Sequence, residues 1–426
     1  MRKQAVFLLT AAFLAGCATM PVIRVDQGGP QARLVGLEQQ LHDDDRLFSE
    51  KLAREGALYN DPALTPYLAD LGRKLTPPNL PAGSPGYQFW TVRDPTVNAF
   101  SLSNARTYYH LGLIAQARNP DMLAAVMAHE ISHSLHRDMV YMREDIRQKT
   151  VAAKIAQIPV IVGGALVGDG GLAATLLNVS YAASVTGYGR EKEAQADRYA
   201  MERLKENGMN PAGTIQMFET FLKEEGRYQR GLEIWFLMSH PATRQRLAEA
   251  KKWLEEQHPD AAPPQDDPEF LKLTDPARLE AAALNVRYER YFHALDILED
   301  VSIRRPEDPA VLCLQAECYR RLAENRKIAE SELSSKAWAK TRKDPDAWKT
   351  DWQQKAQETF SRALAKNPSY PDAEKGLGLL CAGRGENAAA IQHWEAYLSL
   401  KPDARDRRSI LSRLEKLKRS FSALTS

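Results

Sequence analysis

The chain has 426 residues, 44% hydrophobic and 26% charged, which are ordinary proportions for globular protein, and its length favours two or three domains. A net charge of +2 provides no basic footprint for nucleic acid, so nucleic-acid partners are set aside.

The N-terminus reads as a targeting segment. Arg2 and Lys3 precede a ten-residue apolar stretch, Ala5 to Leu14, too short to span a bilayer but suited to a secretory signal over residues 1–16. It ends Leu14-Ala15-Gly16-Cys17, which resembles the lipobox of bacterial lipoproteins. That resemblance implies a lipidated Cys17 as the mature N-terminus, with several acyl chains making a stable anchor. A plain signal peptide with an incidental cysteine is the alternative. Ala18 stands where lipoproteins kept at the inner membrane commonly carry Asp, which favours the outer membrane, facing the periplasm. Residues 17–32, with Gly28-Gly29-Pro30 and no periodicity, read as a tether.

From Ala32 to Leu75 the apolar spacing is helical, with breaks near Asn60-Asp61-Pro62 and Pro77-Pro78. Tyr87 to Val92 is β-rich, and Val97 to Ile114 reads as strand or hairpin. Asn119-Pro120 then opens an apolar helix that carries His129, Glu130 and His133 in the pattern H-E-I-S-H. Positions i and i+4 lie about 40° apart around a helix and roughly 6 Å along it. Both imidazoles therefore leave one face and can bind one Zn²⁺, while the Glu130 carboxylate can reach a water at the metal. Such a site generates a nucleophile at neutral pH and polarises a carbonyl, the chemistry of a zinc peptidase.

Catalytic zinc usually has three protein ligands. Sixty-four residues after His129 comes an acidic helix in which Glu193 and Asp197, also i and i+4, share a face. One can bind the metal while the other receives an N–H from a ligating imidazole; spacing leaves open which. Before that helix, Asp169 is the only charge between Lys154 and Arg190. Pro159 and several glycines break this apolar segment, which reads as core helices or a flap over the site, with lipid contact as the alternative.

Residues 258–275, dense in Pro and Asp, read as a linker closing a metalloprotease domain over 33–257. Beyond it the 34-residue tetratricopeptide pattern is matched by Leu377, Gly378, Ala390, Trp394 and Pro402. Ala356, Phe360, Ala363 and Pro368 match the preceding unit, one period of 34 earlier. Ala282, Ala294, Leu298 and Pro306 fit an earlier unit less tightly. Pro306 lies 62 residues before Pro368, so an insertion of about 28 falls near 325–352, with Trp338, Trp348 and Trp352. The repeat domain is placed at 276–420, an unrelated helical bundle being the alternative. Stacked helix pairs form a concave surface suited to protein segments. Cys313, Cys318 and Cys381 read as buried thiols.

These motifs resemble the CAAX prenyl endopeptidase-like zinc metallopeptidases, especially their periplasmic BepA-like members with C-terminal tetratricopeptide repeats. The family carries H-E-x-x-H and a later Tyr-Ser-Arg-x-x-Glu-x-x-Ala-Asp; this chain has Tyr188-Gly189-Arg190-Glu191-Lys192-Glu193-Ala194-Gln195-Ala196-Asp197. The resemblance implies Glu193 as third ligand and Asp197 as the acid behind the ligands. Glu191 falls off the pattern and reads as a solvated charge. Asn98-Ala99-Phe100 corresponds to an edge strand that aligns substrate, and Ser239-His240-Pro241 with Arg246 to a His-Pro segment near the zinc. His240 is a candidate fourth ligand, and His240 or Arg246 a candidate oxyanion donor. The chain departs from the family at Ser103-Asn104-Ala105, where a Pro-Gly-Gly turn is usual, and at Asp138, where a His often stands. His136 reads as a surface or supporting residue.

The expected fold is mainly α with a small β-sheet, a zincin-type domain followed by a tetratricopeptide solenoid. The expected function is a periplasmic endopeptidase with one Zn²⁺ per chain and Glu130 as general base, in quality control of envelope proteins. Its partners would be unfolded or misassembled envelope proteins and, through the repeats, the outer-membrane assembly machinery. The rival reading is a lipid-anchored chaperone or assembly adaptor with a structural or vestigial zinc site.

Overall fold

Two helices, a three-stranded sheet and a buried central helix build the first half of the molecule in a computed structural model that describes residues 35–80, 86–141, 189–228, 240, 243–341 and 345–425. Helices α1 (Val35–Arg54) and α2 (Leu64–Leu75) are separated where Asn60-Asp61-Pro62 breaks the pattern. Asp61 Oδ1 accepts from the Ala63 and Leu64 amides and so starts α2. Pro77 and Pro78 follow its end, where proline cannot continue a helix. Strands β1 (Gln88–Val92), β2 (Ala99–Ser101) and β3 (Arg106–His110) form a sheet ordered β1-β3-β2. β3 runs parallel to β1 and antiparallel to β2, with Tyr108 opposite both Trp90 and Phe100.

The end of the apolar run 97–114 departs from the strand expectation: from Leu111 it is helix α3 (Leu111–Gln116). Its residues through Ala115 are all buried, and a continuous apolar run does not separate a buried strand from a buried helix by period. At the β2–β3 turn, Ala105 takes a left-handed backbone (φ 60), the conformation glycine supplies more easily. Asp45 of α1 steadies that turn by accepting from the Ser103 amide and hydroxyl.

Asn119 caps helix α4 (Pro120–Leu135) by accepting from the Met122 amide, with Pro120 in the first turn. Every residue of α4 from Met122 to His133 is buried, as expected of a helix enclosed on all sides. Around it pack α2, β2, α5 (Arg190–Glu206) and α6 (Ala212–Arg227), while α7 (Thr243–Gln257) lies on α5 and α6.

The described elements of the second half are helices: α8 (Pro268–Arg287), α9 (Tyr291–Arg304), α10 (Pro309–Glu324), α11 (Arg326–Glu332), α12 (Ser335–Thr341), α13 (Pro345–Lys366), α14 (Pro371–Arg384), α15 (Asn387–Leu400) and α16 (Arg407–Thr425). The principal pairs are α8 with α9, α10 with α13 and α14 with α15. A Cβ on Gly376 would stand 2.2 Å from the Phe360 ring, and one on Gly378 2.3 Å from the Trp394 ring. Small and large residues thus interlock between neighbouring helices. Cys313, Cys318 and Cys381 are free and buried.

The linker differs from the sequence expectation. Asp267 caps α8, so the helix begins at Pro268 inside the expected linker 258–275, and Phe270 and Leu271 are buried. Within 325–352 the described residues form α11, α12 and the start of α13, with Trp338, Trp348 and Trp352 in the core. That core is continuous with the first half of the chain. Arg278, 1% exposed, donates to the Ala115 and Ala117 carbonyls at the end of α3. Arg118 pairs with Asp266 and Asp300, and Leu333 bridges to Tyr228. The two halves are therefore packed together through α8, α9 and the insertion.

The signal segment, Cys17, the tether, the apolar stretch up to residue 188, Ser239 and Pro241 lie outside the described residues. Among the described residues no helix is long and apolar enough to cross a membrane.

Candidate metal centre

On α4, His129 and His133 emerge from one face, as their spacing requires, with Nε2 atoms 3.1 Å apart. Glu193 rises from the first turn of α5, and His240 lies before α7. His240 Nδ1 is 3.2 Å from His129 Nε2 and 2.9 Å from Glu193 Oε1. Glu193 is 3.6 Å from each of the two α4 imidazoles. These four buried groups each offer one ligand atom, all within 4.8 Å of one another.

The donor set fits a metal ion on three grounds. Four ligands at about 2.0–2.1 Å around a tetrahedral ion would be separated by about 3.3 Å, close to the spacings observed. Behind the ligands, His129 Nδ1 lies 3.0 Å from Asp197 and His133 Nδ1 2.8 Å from Asp138. Those carboxylates hold a proton on each Nδ1 and turn an unprotonated Nε2 inward, the tautomer that ligates. Two such lone pairs 3.1 Å apart repel unless a cation lies between them. Burial also pushes His129 and His240 down to about 3, so both stay neutral at physiological pH. At His133 burial acts the same way, but the Asp138 hydrogen bond and the Glu193 charge outweigh it and raise its pKa. Burial raises Glu193 too, against Arg246, His133 and His129; a cation among the ligands would favour its ionised form.

Arg246 of α7 ties the supporting acids together. It donates to Asp197 through two nitrogens at 2.7 and 2.6 Å, to the His240 carbonyl at 3.0 Å, and pairs with Glu193 at 2.7 Å. Burial acts to raise Asp197, but the guanidinium and the His129 hydrogen bond prevail and hold it below the usual carboxylate range. Engaged with three partners, the guanidinium is committed to the frame, which speaks against the expected alternative of Arg246 as oxyanion donor.

Glu130 is fully buried beside this set, its Oε1 3.5 Å from His240 Nε2. Among the described residues Oε1 has no hydrogen-bond partner, whereas Oε2 accepts from the Ser101 hydroxyl at 2.9 Å. A carboxylate so placed can accept a proton from a water beside the ligands.

Three contributors were not assigned these places from sequence. Asp138, noted only as a departure, comes back to His133 because Arg137 takes a left-handed backbone (φ 57) just past the helix end. Lys192 pairs with Asp138 at 2.9 Å. Ser101 carried no signal beyond its place after Asn98-Ala99-Phe100. His136 stays out of the ligand set, its Nδ1 2.8 Å from the Ser132 carbonyl. Glu191 is exposed, in keeping with a solvated charge.

Comparison with known proteins agrees with this geometry. Residues 62–254 match the family described as Peptidase family M48. The chain is similar to the beta-barrel assembly-enhancing protease of Escherichia coli (strain K12), 27% identical over 251 residues, covering 58% of this chain and 50% of that protein. It is 25% identical over 170 residues to the mitochondrial metalloendopeptidase OMA1 of Schizosaccharomyces pombe, covering 40% of this chain and 47% of that protein. Over 167 residues it is 26% identical to the metalloprotease LoiP of Escherichia coli (strain K12), covering 38% and 59% respectively. The matches thus span about half the length of these relatives. The ligand helix, the acidic helix and the buried carboxylate, assembled at one point, all fall within the stretch that matches this metallopeptidase family.

Proposed function

We propose that the chain is a zinc-dependent endopeptidase of the bacterial periplasm, tethered to the outer membrane through Cys17 and acting on unfolded or misassembled envelope proteins. The observation that carries this reading is Glu130, a buried carboxylate whose Oε1 lies 3.5 Å from His240, a member of the His129, His133, Glu193 and His240 cluster. A His/Glu donor set of this kind suits zinc. Zinc supplies a Lewis acid that acidifies water and polarises a carbonyl. Glu130 takes the water proton and returns it to the leaving amine. Asp197 and Asp138 keep the two α4 imidazoles in the ligating tautomer, and Arg246 holds Asp197 and Glu193 in place.

His240 would hold the ion as a fourth ligand in the resting state, and the enzyme would be self-restrained until this residue moved aside for substrate. Once displaced, it is the remaining candidate for a donor to the developing oxyanion. The helices after residue 268 are read as tetratricopeptide repeats that select substrates or dock assembly partners, supported by the Gly378–Trp394 and Gly376–Phe360 packing. The name of the beta-barrel assembly-enhancing protease supports an outer-membrane context.

One observation favours the adaptor alternative: with His240 in the set all four positions are filled, as in structural zinc sites. Glu130→Gln separates the two. It keeps shape and the four ligands, so zinc stays near one per chain, while loss of a general base costs about 10²–10⁴ in rate. Normal folding, normal zinc and nearly absent proteolysis are expected. Full complementation of a deletion strain by this variant would establish the adaptor, and wild-type cleavage of an unfolded substrate would refute the mechanism.

A further inference from the structure

The sheet and the ligand helix meet at Ser101. Along β2 successive side chains alternate faces: Phe100 joins a cluster with Leu52, Val92 and Tyr108, whereas Ala99 belongs to the core that includes α4. Ser101, two residues on from Ala99, turns the same way and reaches Glu130. Its Oγ lies 2.9 Å from Glu130 Oε2 and 2.6 Å from the Glu130 backbone carbonyl. Both residues are buried, at 2% and 0% exposure. A hydroxyl has one proton to donate, so these two acceptors share it. β2 pairs with β3 on one side and, among the described residues, with no strand on the other.

From this geometry we propose that Ser101 is a positioning residue for the peptidase reaction, fixing the rotamer of Glu130 from the strand that borders the site. The inference rests on Glu130 being the general base. By occupying Oε2, the hydroxyl leaves Oε1, which lies 3.5 Å from His240, as the oxygen available to the incoming water. Without it the carboxylate can rotate about its last bond, and the fraction of molecules with a correctly aimed oxygen falls. Because the same residue supplies backbone to the edge of the sheet, a peptide laid along β2 and the carboxylate that works on it share one support.

The test uses the full-length, zinc-loaded protein and fluorescein-labelled casein as an unstructured substrate. Ser101→Ala should lower kcat by about 10–100-fold, the range for a hydrogen bond to a charged group, with KM within twofold and zinc content unchanged. Ser101→Thr, which retains the hydroxyl, should restore most of kcat. Should the alanine variant fail to fold, Ser101→Cys keeps the volume, weakens the donor, and must show the same loss. In a Glu130→Gln background, Ser101→Ala should have no further effect. Wild-type kcat in the alanine or cysteine variant overturns the proposal, as does a loss explained by missing zinc or a change confined to KM. If Glu130→Gln is itself fully active, the general-base reading has failed; if it is inactive while Ser101→Ala is fully active, the role of Ser101 alone is lost.

Discussion

Asp197→Asn perturbs the frame behind the ligands without changing its volume. Asp197 is 6% exposed and accepts from Arg246 at 2.7 and 2.6 Å and from His129 Nδ1 at 3.0 Å. An amide has one oxygen for these three donors, so its NH₂ must face either Arg246 or the His129 ring. Facing His129, it favours the tautomer with the proton on Nε2, which cannot ligate; facing Arg246, it breaks the two-point ion pair. Outer partners of metal-bound histidines are typically worth 10–100-fold in affinity, or about 1.4–2.8 kcal/mol. Breaking a buried ion pair costs about 3–5 kcal/mol when nothing replaces the lost partner. Here Glu193 still faces the guanidinium at 2.7 Å, so a folding cost of about 2–3 kcal/mol is expected. The Asp197 pKa is lowered in the fold, so its contribution is present above the ordinary carboxylate range, about pH 4, and is lost as pH falls through the lowered value. The penalty of the variant should therefore be full at pH 7 and shrink in acid. Competition with a chelating dye gives zinc affinity, and urea unfolding with and without zinc gives stability. Zinc affinity within twofold of wild type, together with an unchanged unfolding midpoint at pH 7, would refute the reasoning.

The junction between the halves predicts how truncations behave. A chain ending at residue 275 stops in the middle of α8 and strips Arg278 from the Ala115 and Ala117 carbonyls, so it should aggregate on expression. One ending at residue 370 keeps α8 to α13 and should remain soluble and cleave casein; equal behaviour of the two in solubility and melting assays would contradict the shared core. Asp300→Asn should cost about 1–3 kcal/mol in urea unfolding, because Arg118, Arg278 and Arg304 all converge on that carboxylate. Although burial acts to raise Asp300, these arginines hold its pKa down, so the difference from wild type should be largest above about pH 4 and fade below it. Cys17→Ser should leave an unprocessed precursor or a soluble periplasmic form, and unchanged membrane fractionation with unchanged processing would exclude the lipid anchor.

Within single helices, the chain alone determined a good deal. Asn119-Pro120 marked the start of α4, and the i, i+4 spacing of His129 and His133 placed both rings on one face. The same spacing put Glu193 and Asp197 side by side, though only the family resemblance said which binds metal; in the structure Glu193 turns to the ligands and Asp197 to His129 and Arg246. These features were legible because backbone geometry over three or four residues dictates which side chains share a face. Other decisions needed the assembled molecule. Ser101 meets Glu130 across 29 residues, His240 meets His129 across 111, and Arg278 reaches Ala115 across 163. The reach of Asp138 to His133 is short in sequence, yet it depends on a left-handed residue that no apolar period announces. The helical end of the 97–114 run and the early start of α8 were hidden for a related reason. Whether an apolar or proline-bearing stretch becomes strand, helix or linker depends on what covers it, and that cover comes from elements far away along the chain.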